Sequence, residues 1–298
     1  MTVAVQSLSN WQQMGFTPVC ALQVFGMRRS GNHAIIDWLM RNAPEAATGG
    51  VFFNNCKFGK NPQRAFGSMD VYGTDYAVLP HQSMTTGERV AQAGGTPMAI
   101  VSYEDRMPQP DGQPQKASAD MSAADFNHQV IIYRSFLNWS ASMVAKLKRN
   151  EGYGATDRVR ILSVALDTYK QGLDRVAKAK GAIAICYDDW MTSEVYRGGI
   201  LQQLGLPQRD LSRGKMQRYG GGSSFQSKVT EVDQLDSVSR DTAMADDPEY
   251  QFLLWTAAHD LAFMERILTH FEQDAERLAT LAETAKLHIK LPPREAST

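Results

Sequence analysis

The sequence predicts an α/β fold, a mainly parallel sheet with helices on both faces, and three observations lead there. Strand-like and helix-like runs alternate across the first 205 of 298 residues. The runs Val19–Phe25, Pro97–Tyr103, His128–Ser135 and Ala182–Tyr187 are short, apolar or β-branched, and suited to buried strands. A glycine-bounded loop joins the first of them directly to an amphipathic segment.

Val19–Phe25 (VCALQVF) leads into Gly26-Met27-Arg28-Arg29-Ser30-Gly31-Asn32-His33, after which Ala34, Ile35, Trp38 and Leu39 fall at helical spacing and Pro44 marks a stop. The first amides of a helix lack intrahelical partners and carry the positive end of the dipole, so such a loop suits an anion, most often a phosphate. Gly26 and Gly31 have the G-x-x-x-x-G spacing of a P-loop, but Asn32-His33 stand where a nucleotidase has Lys and then Ser or Thr. The hydroxyl that holds Mg²⁺ is therefore missing, and Arg28 and Arg29 supply permanent, multi-donor cations instead. These residues suit a nucleotide anion without an obligatory metal. A plain strand-to-helix turn with solvated arginines has the same spacing, so the remaining segments have to decide.

Composition bounds the alternatives. With 43% hydrophobic and 21% charged residues, the chain can bury a sizeable core. A formal net charge of −1 gives no general electrostatic case for nucleic acid or an acidic membrane, so any anion site is local. Cys20, Cys56 and Cys186 fit neither a disulfide framework nor a zinc pattern. There is no signal-like N-terminus and no apolar stretch of membrane-spanning length, so a soluble cytoplasmic protein is expected.

Along the chain, residues 44–96 read as an insertion after the first helix, with Val51-Phe52-Phe53 and Tyr76-Ala77-Val78-Leu79 as short strands on either side of a polar, glycine-containing run. Pro97–Tyr103 ends in Glu104-Asp105, an acidic pair at a strand's carboxyl end, where a proton acceptor or a solvated strand end are both admissible. Residues 108–124 read as a flexible loop. The next strand ends on Arg134, and Ser142 lies eight residues on, about two helical turns if the chain coils promptly, so the two can share a second phosphate. Thr156–Lys180 is a packing helix with Thr156 or Asp157 as N-cap and Gly181 as its stop. Ala182–Tyr187 is a further strand. Residues 212–225, basic and glycine-rich, suit a linker or a clamp over a phosphate, and Asp247-Pro248 opens a long helix running through Leu278.

In this order the segments resemble the sulfotransferases that use 3′-phosphoadenosine 5′-phosphosulfate (PAPS). Arg29-Ser30-Gly31-Asn32-His33 is similar to the family's 5′-phosphosulfate loop, commonly P-K-S-G-T, and Val130 to Ser142 to its 3′-phosphate motif. Cys186-Tyr187-Asp188-Asp189-Trp190 resembles Y-E-D-L, and Leu201 to Pro207 resembles F-L-G-L-P. Arg213-Gly214-Lys215 with Gly222-Ser223-Ser224-Phe225 is loosely similar to the late R-K-G and G-D-W segment. The resemblance covers about 200 residues and implies a P-loop-like three-layer fold, here a single domain over 1–298 with a C-terminal helical segment from 247.

The resemblance also implies a chemistry. The sulfuryl group of PAPS passes in line to a hydroxyl or amine of a small-molecule or carbohydrate acceptor, leaving 3′,5′-ADP (PAP), with no metal required. Arg28, Arg29, Ser30, Gly31, Asn32 and His33 then hold the 5′-phosphosulfate, with Arg29 neutralising the leaving group. Arg134 and Ser142 hold the 3′-phosphate, Arg218, Ser223 and Ser224 close over it, and Tyr187 lies on the adenosine side. Where many members have the catalytic histidine of K-T-H-L-P, this chain has Ser102-Tyr103-Glu104-Asp105. Glu104 is accordingly the first candidate base and His81 the second, with Asp105, His33 and His128 remaining. A metal-dependent P-loop kinase or nucleotidase with a degenerate loop, and a nucleotide-binding module without catalysis, are the alternatives.

Overall fold

The structure, a computed structural model, describes residues 9–57, 60–80, 83–108, 121–178, 181–215, 225, 230–236 and 239–284. Six strands form one sheet: β1 (Cys20–Gly26), β2 (Gly50–Asn54), β3 (Ser68–Tyr72), β4 (Met98–Glu104), β5 (His128–Tyr133) and β6 (Ala182–Cys186). Their order is β3-β2-β4-β1-β5-β6, parallel throughout except for the antiparallel edge strand β3. The helices in chain order are α1 (Asn10–Gln13), α2 (Asn32–Arg41), α3 (Thr86–Ala91), α4 (Phe136–Lys148), α5 (Ala155–Lys178), α6 (Tyr187–Thr192), α7 (Glu194–Gln203), α8 (Arg240–Ala243), α9 (Pro248–Ala258), α10 (Leu261–His270) and α11 (Glu272–Thr284).

Strand alternation divides the core into layers. On one face Leu22 and Val24 of β1, Ile100 of β4, Val130 and Ile132 of β5 and Ile185 of β6 pack under Ile35, Trp38 and Leu39 of α2 and Trp190 of α6. On the other face Phe25, Val51, Phe53 and Val101 meet Trp11, Phe16 and Val90, while α4, α5 and α9 to α11 form a second core beside them around Phe136, Trp139, Tyr169 and Phe263. Helix, sheet and helix layers result, as the alternating pattern predicts. No helix among the described residues is long and apolar enough to cross a membrane.

Three expectations are corrected. The stretch 44–96, read as an insertion, supplies two strands of the central sheet, and Val51, Phe52 and Phe53 are at most 2% exposed. Its second strand is Ser68–Tyr72 from the polar run, whereas Tyr76–Leu79 contributes only the isolated bridge from Val78 to Tyr72, the chain being turned there by a left-handed Tyr76 (φ 58°). The helix expected to run from Asp247 through Leu278 is three helices. Asp247 caps the first, with Pro248 at its first position, but the Asp260 side chain accepts from Phe263 N at 3.0 Å and starts a new one, and the last begins beyond Phe271. Of residues 108–124, those from 109 to 120 lie outside the described set.

Register fixes where the loops emerge. Gly26, the last residue of β1, pairs with Glu104 and Ile132, and Tyr133 pairs with Cys186, so Met27, Asp105, Arg134 and Tyr187 leave the sheet at one edge. The chain passes from β1 through α2 to β2 on one side, while β5 lies on the other. Ligands of open α/β sheets bind outside the carboxyl ends of the strands at such a reversal.

Candidate anion site at the carboxyl edge of the sheet

The loop after β1 is tightly built. Ser30 N donates to Met27 O at 3.2 Å, and Arg29 (φ 72°) and Gly31 (φ 85°) both take left-handed backbone. A non-glycine residue there costs about 1–2 kcal/mol, which the surroundings must offset. They do so from several elements: Trp139 Nε1 of α4 donates to Arg28 O at 2.9 Å, and Asp105 Oδ1 accepts from Arg28 N at 2.8 Å. Gly31 is required twice over, by its φ and because a Cβ would run into the Tyr187 ring. Asn32 Nδ2 donates to Met27 O at 3.1 Å, and its side chain fills the space that a Cβ on Gly26 would need. The helix thus begins at an uncapped Gly31, with the Ser30 hydroxyl buried and lacking a hydrogen-bond partner among the described residues. An orphaned hydroxyl beside the open amides of a ten-residue helix is what an anion would satisfy.

Three arginines from separate segments converge next to this loop. Arg29 Nε donates to Ser142 Oγ at 3.1 Å, and Arg240 Nη1 of α8 approaches the same oxygen at 3.3 Å. Arg134 Nη1 reaches Arg29 O at 3.4 Å, while its guanidinium lies 4.7 Å from the Tyr187 ring centroid. Its backbone is held by the Tyr169 hydroxyl of α5, which donates to Arg134 O. Arg134, Ser142 and Arg240 are buried, Arg29 partly so. Burial, then the like charges of Arg134 and Arg149, hold Arg29 below the ordinary arginine range, against a weaker pull from Glu104. Burial, then Arg134, bring Arg240 down to about 9. Asp188 is the nearby counter-charge: Oδ2 accepts from Ser135 N at 2.7 Å, and Oδ1 is 3.8 Å from Arg134 Nε. Burial raises its carboxyl despite that arginine. Like charges gathered out of water in this way favour a multivalent anion.

The other candidates are placed as follows. Arg28 turns away from the trio to pair with Asp105, and Glu104 sits 3.8 Å from His33 Nε2. Tyr187 is buried between Gly31, Arg134 and Trp190, forming a wall behind the loop. His128 pairs with Leu22 at the start of β5, six residues or roughly 20 Å of strand from the Arg134 end, and is removed from the candidate bases. Arg213 is a structural tie to Met191 O and Asp233. His81, Arg218, Ser223 and Ser224 lie outside the described residues. Phe225 is described, and its ring lies 5.8 Å from the Arg240 guanidinium.

Arg240 is the member that sequence reasoning missed. It stands in no motif, and it meets Ser142 from 98 positions away. No group of three or more His, Cys, Asp or Glu side chains suited to a metal occurs among the described residues. Comparison of the chain with family models, with curated proteins and with solved structures finds no match.

Proposed function

We propose that this chain is a sulfotransferase of P-loop-like fold, moving the sulfuryl group of PAPS to a hydroxyl or amine of a small-molecule or carbohydrate acceptor. One observation carries the reading: Arg29 and Arg240 meet at Ser142, and Arg134 reaches Arg29 O, immediately beside the glycine loop, so two anion grips adjoin at one edge of the sheet. A nucleotide with phosphate at both its 5′ and 3′ positions is the ligand that uses both.

The Ser30 hydroxyl and the amides at the start of α2 receive the 5′-phosphosulfate, and the arginine trio with Ser142 receives the 3′-phosphate. The buried state of Arg134 and Arg240 means that a phosphate must displace part of their cover, the Phe225 ring included. Arg29, positioned on the loop but directed at Ser142, links the two grips and stabilises charge as the sulfur–oxygen bond breaks. Glu104 and His33, paired beside the loop, supply the proton acceptor.

The experiment is a transfer assay with sulfur-labelled PAPS and a panel of phenols, amines and glycosides, following both labelled product and 3′,5′-ADP. Label in an acceptor with matching nucleotide release supports the reading. Phosphoryl transfer from Mg·ATP, with no sulfuryl transfer, replaces it with the kinase alternative.

A further inference from the structure

We infer that His33, oriented by Glu104, is the base that takes the acceptor's proton; this rests on the sulfuryl-transfer reading and names the residue that completes it. His33 is the second residue of α2, and its Nε2 stands 3.8 Å from Glu104 Oε1, each side chain about one-sixth exposed, at 17% and 16%. The ring stands edge-on to Phe52 of β2 at 5.9 Å between centroids, which limits its swing. Of the two side chains after Gly31, Asn32 is spent on the inside of the loop, bonded to Met27 O, while His33 turns to the carboxyl end of β4.

The pairing assigns the ring nitrogens. With Nε2–H directed at the carboxylate, the lone pair on Nδ1 is the acceptor, and Glu104 stabilises the imidazolium that forms. The present distance exceeds a hydrogen bond, and catalytic pairs commonly tighten only when substrate is bound. Imidazole is also the stronger base by side-chain type, by about two pKa units over a glutamate in water.

Glu104 faces the ring from β4, with Asp105 and Arg28 paired to one another beyond, and Arg29 acts on Glu104 from the loop. One turn along α2, Asp37 is paired with Arg41 and feels Asp70 of β3, while β2 presents the uncharged Phe52. In the step itself, the acceptor's oxygen or nitrogen forms a bond to sulfur as its proton passes to His33 Nδ1. The bond from sulfur to the bridging oxygen breaks, and its electron pair stays on the 5′-phosphate of the departing 3′,5′-ADP. The imidazolium then releases its proton to solvent.

The test measures 3′,5′-ADP release from PAPS, with the acceptor panel or with water, from about pH 5 to 9 on the full chain. His33→Ala, which keeps the main-chain amide at the start of α2, is expected to lose about 10²-fold or more in kcat and the acid limb of its pH profile, with an unchanged far-ultraviolet spectrum. Added imidazole restores part of the lost rate, a recovery that a merely structural histidine would not give. Glu104→Gln is expected to fall about tenfold in kcat and to keep an acid limb, because the ring loses its carboxylate partner but remains the base. Wild-type turnover in His33→Ala, or loss of the limb in Glu104→Gln alone, overturns the inference in favour of the carboxylate. Tight 3′,5′-ADP binding with no turnover by wild type overturns the base and leaves the nucleotide site standing. Failure of wild type to bind 3′,5′-ADP overturns the sulfuryl-transfer reading itself.

Discussion

Arg29 Nε donates to Ser142 Oγ across 3.1 Å, and this bond joins the loop that follows β1 to the interior of α4. The same hydroxyl receives Arg240, so one oxygen organises two guanidinium groups that would otherwise repel. Replacing Ser142 with alanine removes that shared acceptor and leaves the apolar packing of α4 in place. Hydrogen bonds to charged groups contribute about 1.5–3 kcal/mol, so Ser142→Ala should weaken 3′,5′-ADP binding roughly 10- to 100-fold. Calorimetric titration measures this, and an unchanged far-ultraviolet spectrum shows that the fold is retained.

Arg240 is held in the fold with its guanidinium lowered to about 9, by burial first and by Arg134 and Arg29 among the nearby charges. Because the native state depresses the pKa of a cation, the penalty is complete at any pH below about 9 and fades only as pH rises beyond it. Arg240→Gln should therefore raise the melting temperature of the nucleotide-free protein at neutral pH. It should also shrink the further rise that saturating 3′,5′-ADP produces. Thermal unfolding with and without the nucleotide gives both values, and a fall in both would mark Arg240 as purely structural.

Asp188 gives a pH signature. Burial raises its carboxyl above the ordinary value despite Arg134, so the folded state holds its proton to higher pH than the unfolded chain does. Its penalty is absent below the unfolded value of 3.8, grows as pH rises toward the raised native value, and is constant above it. Asp188→Asn has no such titration and can still accept from Ser135 N. The variant should gain on wild type as pH climbs from about 4, until the buried carboxyl is fully ionised. Paired melting curves across that range check the sign.

Much of the fold was legible because the main strands are short, mostly apolar runs and the loop after β1 is set by two glycines at fixed spacing. The places of Arg134 just past β5 and of Ser142 inside α4 were legible because an apolar strand run and a helical run follow one another directly. Ser68–Tyr72 was hidden because an edge strand carries polar residues, Asp70 among them, whereas Tyr76–Leu79 has the apolar content of a strand without the backbone for one. Arg240 and the pairing of His33 with Glu104 could not be read locally. Both are contacts between distant segments, which only the strand order and the packing of α8 against α4 bring together.

The most direct measurement is a calorimetric comparison of 3′,5′-ADP, 5′-AMP and Mg·ATP binding to the wild-type chain, repeated with Arg134→Ala. Two charge-assisted bonds to a 3′-phosphate predict that 3′,5′-ADP binds wild type at least ~100-fold more tightly than 5′-AMP, with most of that preference gone in the variant. Equal affinity for 3′,5′-ADP and 5′-AMP, or tighter binding of Mg·ATP than of either, would contradict a site built for phosphate at both ends of the nucleotide.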